Sequence, residues 1–598
     1  MTFTQLTPNQ LDTKLAFIEQ YIQAANPAEG SKLDANANVT MKTITSLEAE
    51  LHKDINIQIN RRFMTDELRT NFGDDVATQY LKDIEDHLIY VHDESSIKPY
   101  CASITMYPFL LNGLTGLGGY SQAPKHLDSF CGAYINLVYA LSSQIAGALA
   151  TVEFLLYFDY FARLDFGDDY LTTHRHVVDS KLQQVVYTVN EPAGARGYQS
   201  VFLNWSVYDQ PYFDAMFGHF TFPDMTPPNF DTFNELQKYF LTWFNAERAK
   251  KVLTFPVITV AMLTEHGKPK DHAMADFCAK ELSEGNSFFV YMSDNADSLS
   301  SCCRLRNEIV DNTFSYTLGA GGVSTGSLNV ITLNINRLVQ QKQDIAKLME
   351  RVYQYQVSYR RIVERFNAAG LLPIYSQGFM DIKKQYLTIG LNGLVEAAEF
   401  LGMEISNNPE YVNFLQETLN ILFEGNKKAK AQYGYLFNTE LVPAENLGVK
   451  NAIWDTKDGL QAPRECYNSY FYKVEDDDIT VIDKFLLHGQ EILQYLDGGS
   501  ALHLNLDNNI GHQGFLRLFD LAAKTGCQYW CTNIKMTICN DCNHIDKRSM
   551  DHCSSCGSED VDHATRIIGY LKRISNFSKA RQREAGLRIY HSQTPPQS

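Results

Sequence analysis

The sequence predicts an α/β fold with parallel strands. Three observations carry this. Short β-rich apolar runs, Val252 to Leu263 and Ser287 to Met292, stand in a mixed region. A long charged segment, Asn336 to Phe366, sets Leu338, Ile345, Leu348 and Val352 near helical spacing. Between 370 and 505 brief strand patterns alternate with helical ones and end at Ala501 to Leu506, where apolar residues alternate. Strands separated by helices cross over between neighbours, which makes the pairing parallel.

The remaining elements follow in order. Residues 1–90 read as a charged helical region, with mixed helical spacing from Leu47 to Arg69. From 95 to 125 the chain turns loop-rich, with Pro99 and Gly113, Gly116, Gly118 and Gly119; no lysine completes a phosphate-cradling loop there. Residues 127–165 read as one or two long apolar helices. Ser129 to Val152 holds no charge over 24 residues, a length that spans a bilayer. Its Asn136, Ser142, Ser143 and Gln144 favour a buried core or interface helix over a membrane span. After Gly511 the chain becomes cysteine-rich, and Ser592 to Ser598 shows no core-forming pattern. No internal repeat is visible. The expected domains are therefore 1–90, 91–510 and 511–598.

Composition narrows the function. The 598 residues are 44% hydrophobic and 20% charged, which is globular rather than disordered. A net charge of −18 argues against a nucleic-acid polymer as main partner, because phosphate chains need a basic surface. Met1 to Leu15 lacks the apolar core of a signal peptide, so a cytoplasmic, reducing location is expected. The 12 cysteines are too few for a secreted disulfide scaffold, and six cluster: Cys527, Cys531, Cys539, Cys542, Cys553 and Cys556.

Cys539-Asn-Asp-Cys542 and Cys553-Ser-Ser-Cys556 are paired knuckles that turn four thiolates toward one point, the pattern of a tetrahedral zinc site. Four thiolates leave no position for a reacting water, so the expected zinc is structural. Cys527 and Cys531 do not extend the pattern, and His544 and His552 are not needed. From Arg566 to Arg588 there are seven Lys or Arg residues and one acid, Glu584. Few aromatics are interleaved as stacking platforms, which favours docking of this basic tail on the acidic remainder over nucleic-acid binding.

Beyond the knuckles comes Arg566-Ile567-Ile568-Gly569-Tyr570-Leu571. Alone, Gly569 is a turn or close-approach position. Arg-x-x-Gly-Tyr-Leu after paired C-x-x-C knuckles resembles the glycyl-radical loop of the class III, anaerobic ribonucleotide reductases. The resemblance extends upstream to Cys302-Cys303-Arg304-Leu305, to the segment from Ile84 to Cys101 containing His87, His92-Asp93 and Pro99-Tyr100-Cys101, to Tyr386 to Glu396, and to Gly498 to Leu506. These matches run in order over residues 84–571. The family fold it implies is a ten-stranded α/β barrel of two five-stranded parallel halves, with a C-terminal zinc ribbon and glycyl-radical loop.

The resemblance implies roles. A separate iron–sulfur activase using S-adenosylmethionine takes hydrogen from Gly569, whose radical is delocalised over the flanking peptide groups. Cys303, with Cys302 as alternative, becomes the thiyl that removes the 3′ hydrogen of a ribonucleoside triphosphate. Cys101 returns hydrogen to C2′ on the other face. Hydrogen-atom transfer needs a protonated thiol, the reverse of a cysteine nucleophile. Leu305 stands where dithiol-dependent relatives place a glutamate, which points to formate as reductant, although Glu308 is close in sequence. Asn334 is either a polar contact in the site or a strand-end cap. A homodimer is expected, with Ser129 to Val152 at its interface and nucleoside triphosphate effectors nearby. Lys125 is a candidate phosphate contact or an ordinary solvated lysine. No ATP-cone match appears in 1–90. The free cysteines Cys131, Cys278 and Cys466 read as buried apolar groups. The alternatives are another glycyl-radical enzyme, which the four-cysteine site disfavours, and a zinc-ribbon nucleic-acid-binding protein.

Overall fold

The computed structural model describes residues 5–31, 33, 38–296, 298–300, 306–308, 324–441, 446–506, 510–566 and 569–591. Strands β1 (Ile89–Val91) and β2 (Ala102–Ser103) come first, then β3 (Leu149–Ala150), β4 (Leu203–Tyr208), β5 (Val257–Glu265) with its hairpin partner β6 (Lys268–Pro269), and β7 (Phe289–Ser293). β2, β3, β4, β5 and β7 pair in that order, all parallel. An antiparallel pair follows, β8 (Ser298–Ser300) with β9 (Arg306–Glu308).

A second series begins with β10 (Gly326–Asn334), β11 (Gln385–Asn392) and β12 (Leu436–Glu440), again parallel. β13 (Leu502–Asn505) runs parallel to β14 (Tyr529–Asn533). Bridges complete the circuit. Glu440 pairs in parallel with Gly499, just ahead of β13, and Ser103 pairs antiparallel with Thr325, just ahead of β10. β14 is antiparallel to β7. Among the described residues, ten strands thus return to their starting point as two five-stranded parallel halves of opposite direction. β1 lies antiparallel along the far end of β10.

The strands read as buried runs because both faces are covered: every residue of β4, β7, β10, β11 and β14 is buried. Outside, Trp205 of β4 stacks on Phe154 of the helix Phe154–Phe166 at 3.9 Å and donates from Nε1 to Tyr134 OH at 2.8 Å. Side chains alternate along a strand, so Asn204 and Ser206 face the interior instead.

Several expectations are revised. Ser129 to Val152 is not one long helix. The helix Leu127–Ser142 ends in a turn that leads into β3. No helix among the described residues is long and apolar enough to cross a membrane. Asn336 to Phe366 is two helices, Ile335–Gln340 and Ile345–Ala368, parted at Lys342 with a positive φ of 53° and restarted by the Asp344 cap. The boundary expected after 510 falls within the barrel, because β14 lies beyond it. The helices Lys53–Phe72 and Asp74–Glu85 are not a separate body: Asp83 accepts from Arg351 Nη2 at 3.0 Å and from Tyr355 OH at 2.8 Å.

Beyond the barrel, β15 (Met536–Cys539), β16 (Ile545–Asp546), β17 (Val561–Arg566) and β18 (Leu571–Arg573) form a small antiparallel sheet in the order β16-β15-β17-β18. The basic tail docks, as its composition implied. Arg583 Nε donates to Glu465 at 2.5 Å, Arg566 Nη2 to Ser287 O at 3.1 Å, and Ile589 N to Val474 O at 2.8 Å.

Candidate active site

The barrel interior is more polar than its outer face. Register aligns Ser206, Thr259, Phe289, Cys531 and His503 in one row across β4, β5, β7, β14 and β13. Asn204 donates to Thr259 Oγ1 at 3.2 Å, and Tyr529 stacks on Phe289 at 4.7 Å. In the other half, Ser327, Thr388 and Asn438 form a hydrogen-bonded chain, with Thr388 Oγ1 donating to Asn438 Oδ1 at 2.7 Å. Among the described residues, Ser103 Oγ, Asn204 Oδ1, Ser206 Oγ and Asn438 Nδ2 have no hydrogen-bond partner. Each such atom costs about 1–3 kcal/mol to bury unpaired, so a set of them in one lumen is a place for a polar ligand.

Cys101 stands at the entrance to β2. Its N–H donates to Ser327 O at 2.9 Å, and its buried Sγ accepts from Ala148 N at 3.3 Å. A Cβ on Gly147 would lie 2.8 Å from that sulfur, so only glycine leaves it room. The next strand is in contact: Leu149 N donates to Phe202 O at 2.8 Å.

Gly569 arrives at the same rim. It is buried in the connection between β17 and β18. Tyr570 packs on Phe202 and Phe255, with ring centroids 5.1 and 5.7 Å away, just ahead of β4 and β5. Arg566 hydrogen-bonds Ser287 Oγ, donates to Ser287 O at 3.1 Å, and lies 5.0 Å over the Phe289 ring of the interior row. Its carbonyl accepts from Asn533 Nδ2 at 3.2 Å and Arg588 Nη1 at 2.7 Å. Burial pushes the Glu584 carboxyl up, but the Arg588 and Arg581 guanidinia win and hold it below its ordinary value. A short chain of contacts, Cys101 to Ala148, Leu149 to Phe202 and Phe202 to Tyr570, therefore links the thiol to the residue after Gly569.

The four knuckle cysteines are gathered as their spacing required. Their sulfurs all lie within 4.8 Å of one another, with Cys539–Cys556 and Cys542–Cys553 at 3.6 Å. Tetrahedral zinc thiolate sets the sulfurs about 3.8 Å apart, so the residues fit such an ion. Backbone N–H groups of Cys542 and Cys556 donate to Cys539 Sγ and Cys553 Sγ at 3.4 Å, which favours thiolates.

Other candidates part from this rim. Asn334 closes β10, on the order of 20 Å along the strand from Ser327 and Cys101. It caps the next helix, accepting from Arg337 N at 3.2 Å, and donates to Asp455 at 3.0 Å. The capping alternative describes its contacts. Lys125 is exposed just ahead of Leu127–Ser142, away from Cys101. Cys302, Cys303 and Leu305 lie outside the described residues, although β8, which precedes them, rests against β5 and β7. Cys131, Cys278 and Cys466 are buried, and burial raises each thiol, Cys466 to about 12.

Sequence reasoning missed Asn204, Ser206, Thr259, Asn438 and Cys531. For Asn204 and Ser206 a signal was there, since polar residues alternating with Trp205 and Val207 in an otherwise buried strand have to face something polar; the others emerge only from strand register.

The pattern of the anaerobic ribonucleoside-triphosphate reductase family matches residues 48–591. No curated protein matches the chain. Among solved structures, one described as an anaerobic ribonucleotide reductase is 25% identical, with a TM-score of 0.85 over 98% of this chain and 94% of that one. The Thermotoga maritima anaerobic ribonucleotide reductase with glycerol in its active site is 26% identical, with a TM-score of 0.83 over 96% and 94%. The same protein in complex with dATP and CTP is 24% identical, with a TM-score of 0.82 over 98% and 100%. With a family pattern spanning most of its length, a barrel of matching architecture and a buried Gly569 at that barrel's rim, the chain belongs to the anaerobic ribonucleoside-triphosphate reductases, oxidoreductases that reduce ribonucleotides without oxygen.

Proposed function

We propose that this chain reduces ribonucleoside triphosphates through a radical stored on Gly569 and passed to a thiol in the barrel. The observation that carries this reading is the contact chain from Tyr570, next to Gly569, to Cys101 at one rim. Cys303, or Cys302, is the thiyl. It takes the 3′ hydrogen atom, the 2′ hydroxyl then leaves as water with a proton, and Cys101 supplies a hydrogen atom to C2′. Formate closes the balance. It gives up two electrons and a proton and leaves as carbon dioxide, one for each deoxynucleotide formed; with a second proton from solvent these restore the Cys101 thiol and reduce C3′, and the Cys303 thiol returns its hydrogen atom to C3′, which regenerates the thiyl.

Cys539, Cys542, Cys553 and Cys556 hold a structural zinc, which fixes the ribbon carrying β17 and β18. The unpartnered atoms of Ser103, Asn204, Ser206 and Asn438 receive the nucleotide. The Thermotoga maritima relative was solved with dATP and CTP, which supports nucleoside triphosphates as both effector and substrate. The protein acts as a cytoplasmic homodimer through the Leu127–Ser142 side, with Lys125 contacting effector phosphate, and a radical S-adenosylmethionine activase loads Gly569.

Anaerobic turnover with carbon-labelled formate tests this. The expected result is one labelled carbon dioxide per deoxynucleotide, lost in Cys303→Ala and Cys101→Ala. Turnover driven by a dithiol without formate overturns the reductant, and full activity of Cys303→Ala transfers the thiyl role to Cys302.

A further inference from the structure

The helix Leu127–Ser142 ends beside the active-site rim, and its terminal carbonyls need donors. Buried Arg196 supplies them. Nη1 donates to Ser142 O at 2.6 Å and Ile145 O at 3.2 Å; Nη2 donates to Ala146 O at 3.2 Å and Gly147 O at 3.1 Å. A guanidinium at a helix C-terminus also complements the negative end of the helix dipole. Lys98 Nζ adds a donor to Ser143 O at 3.2 Å.

The same turn grips the Cys101 segment. Ala146 N donates to Pro99 O at 2.9 Å and Gly147 N to Tyr100 O at 2.6 Å. The Cys101 sulfur then meets Ala148 N–H on one side and the bare Cα of Gly147 on the other. Arg196 forms no ion pair among the described residues, and its Nε finds no partner. Its polar contacts are thus confined to the carbonyls of the turn that holds Cys101. Burial lowers its pKa to about 10, opposed by Asp93 and Cys101, so it stays charged at neutral pH.

We propose that Arg196 is a positioning residue for Cys101, fixing the turn Ser142–Gly147 so that the Cys101 sulfur presents its hydrogen at one distance from C2′. This rests on the reading of Cys101 as the second active-site thiol. A lysine at 196 keeps the charge but reaches fewer carbonyls. An alanine at 147 pushes on the sulfur and on Tyr100 O from the opposite side while leaving the guanidinium itself unchanged.

The test uses full-length, activated enzyme carrying Arg196→Lys, Gly147→Ala or Cys101→Ser. Glycyl-radical spin count, KM and kcat are read separately. Both positioning variants are expected to keep the spin count and KM of the parent while kcat falls about 100-fold, the cost of misplacing a reacting atom by an ångström. Parent-like kcat in either variant, with Cys101→Ser inactive, overturns the positioning role but leaves Cys101 in place. Loss of spin, or a rise in KM that accounts for the whole defect, also overturns it, by showing a general structural role. Full turnover by Cys101→Ser shows instead that the reading of Cys101 fails.

Discussion

The barrel wall and the C-terminal hairpin meet at Gly569 but are held together by different forces. The wall is apolar outside: Phe130, Tyr134, Phe154 and Trp205 pack ring on ring between helix and strand. The ribbon's own apolar cluster, among the described residues, is only Met536, Ile538, Ile545, Ala564 and Leu571. Beside Tyr570 packing on Phe202 and Phe255, polar contacts anchor it to the barrel: Arg566 on Ser287, Lys547 on Asn245, and Asn533 on the Arg566 carbonyl. A core this small needs a staple, and the four gathered cysteines fit a metal ion that would provide one. Polar anchors exchange for water more readily than apolar ones, so the ribbon is expected to loosen before the wall unfolds.

Stripping the metal breaks the comparison most sharply. Chelation, or Cys542→Ser, is expected to abolish radical loading while calorimetry shows the barrel transition unmoved; simultaneous loss of both would mean that wall and ribbon fold as one unit. Next comes Arg588→Met, which leaves Glu584 buried with only the longer Arg581 contact at 3.5 Å, a loss of up to about 3 kcal/mol. It is expected to expose the tail to limited proteolysis with the barrel fragment intact.

Acid should loosen the tail more gently. Burial, then neighbouring Lys484, lowers the His591 pKa to about 4. A group depressed in the folded state from an ordinary value near 6.5 contributes stability that is complete above that value and fades as pH falls toward the folded one. Proteolysis near the C-terminus should therefore quicken between those two values, and His591→Gln should flatten the profile. The smallest effect belongs to the wall. Ser206→Ala removes a hydroxyl that has no hydrogen-bond partner among the described residues, so thermal stability should stay equal or rise by about 1 kcal/mol while KM for the nucleotide increases.

Much of this was legible in the chain. The paired knuckles carried the metal cluster because two-residue spacing sets two sulfurs on one turn, and strands alternating with helices carried the parallel halves. Asn334 stayed open in the sequence because an asparagine ending a buried strand looks the same whether it faces a ligand or caps a helix; the structure adds that it accepts from Arg337 N. Ser129 to Val152 misled because apolar periodicity does not register a turn whose carbonyls are satisfied by Arg196, more than forty residues away in sequence. The interior row was hidden because register across five strands is a long-range property.

Electron paramagnetic resonance of the anaerobically activated protein tests the central claim most directly. A doublet is expected, split by the one remaining Cα hydrogen of Gly569, collapsing when glycine is deuterated at Cα and absent from Gly569→Ala. Brief oxygen should then cut the chain there and release a C-terminal fragment of about 30 residues. A signal that persists in Gly569→Ala, or no signal from the parent with an activase that loads other members of this family, would contradict the account.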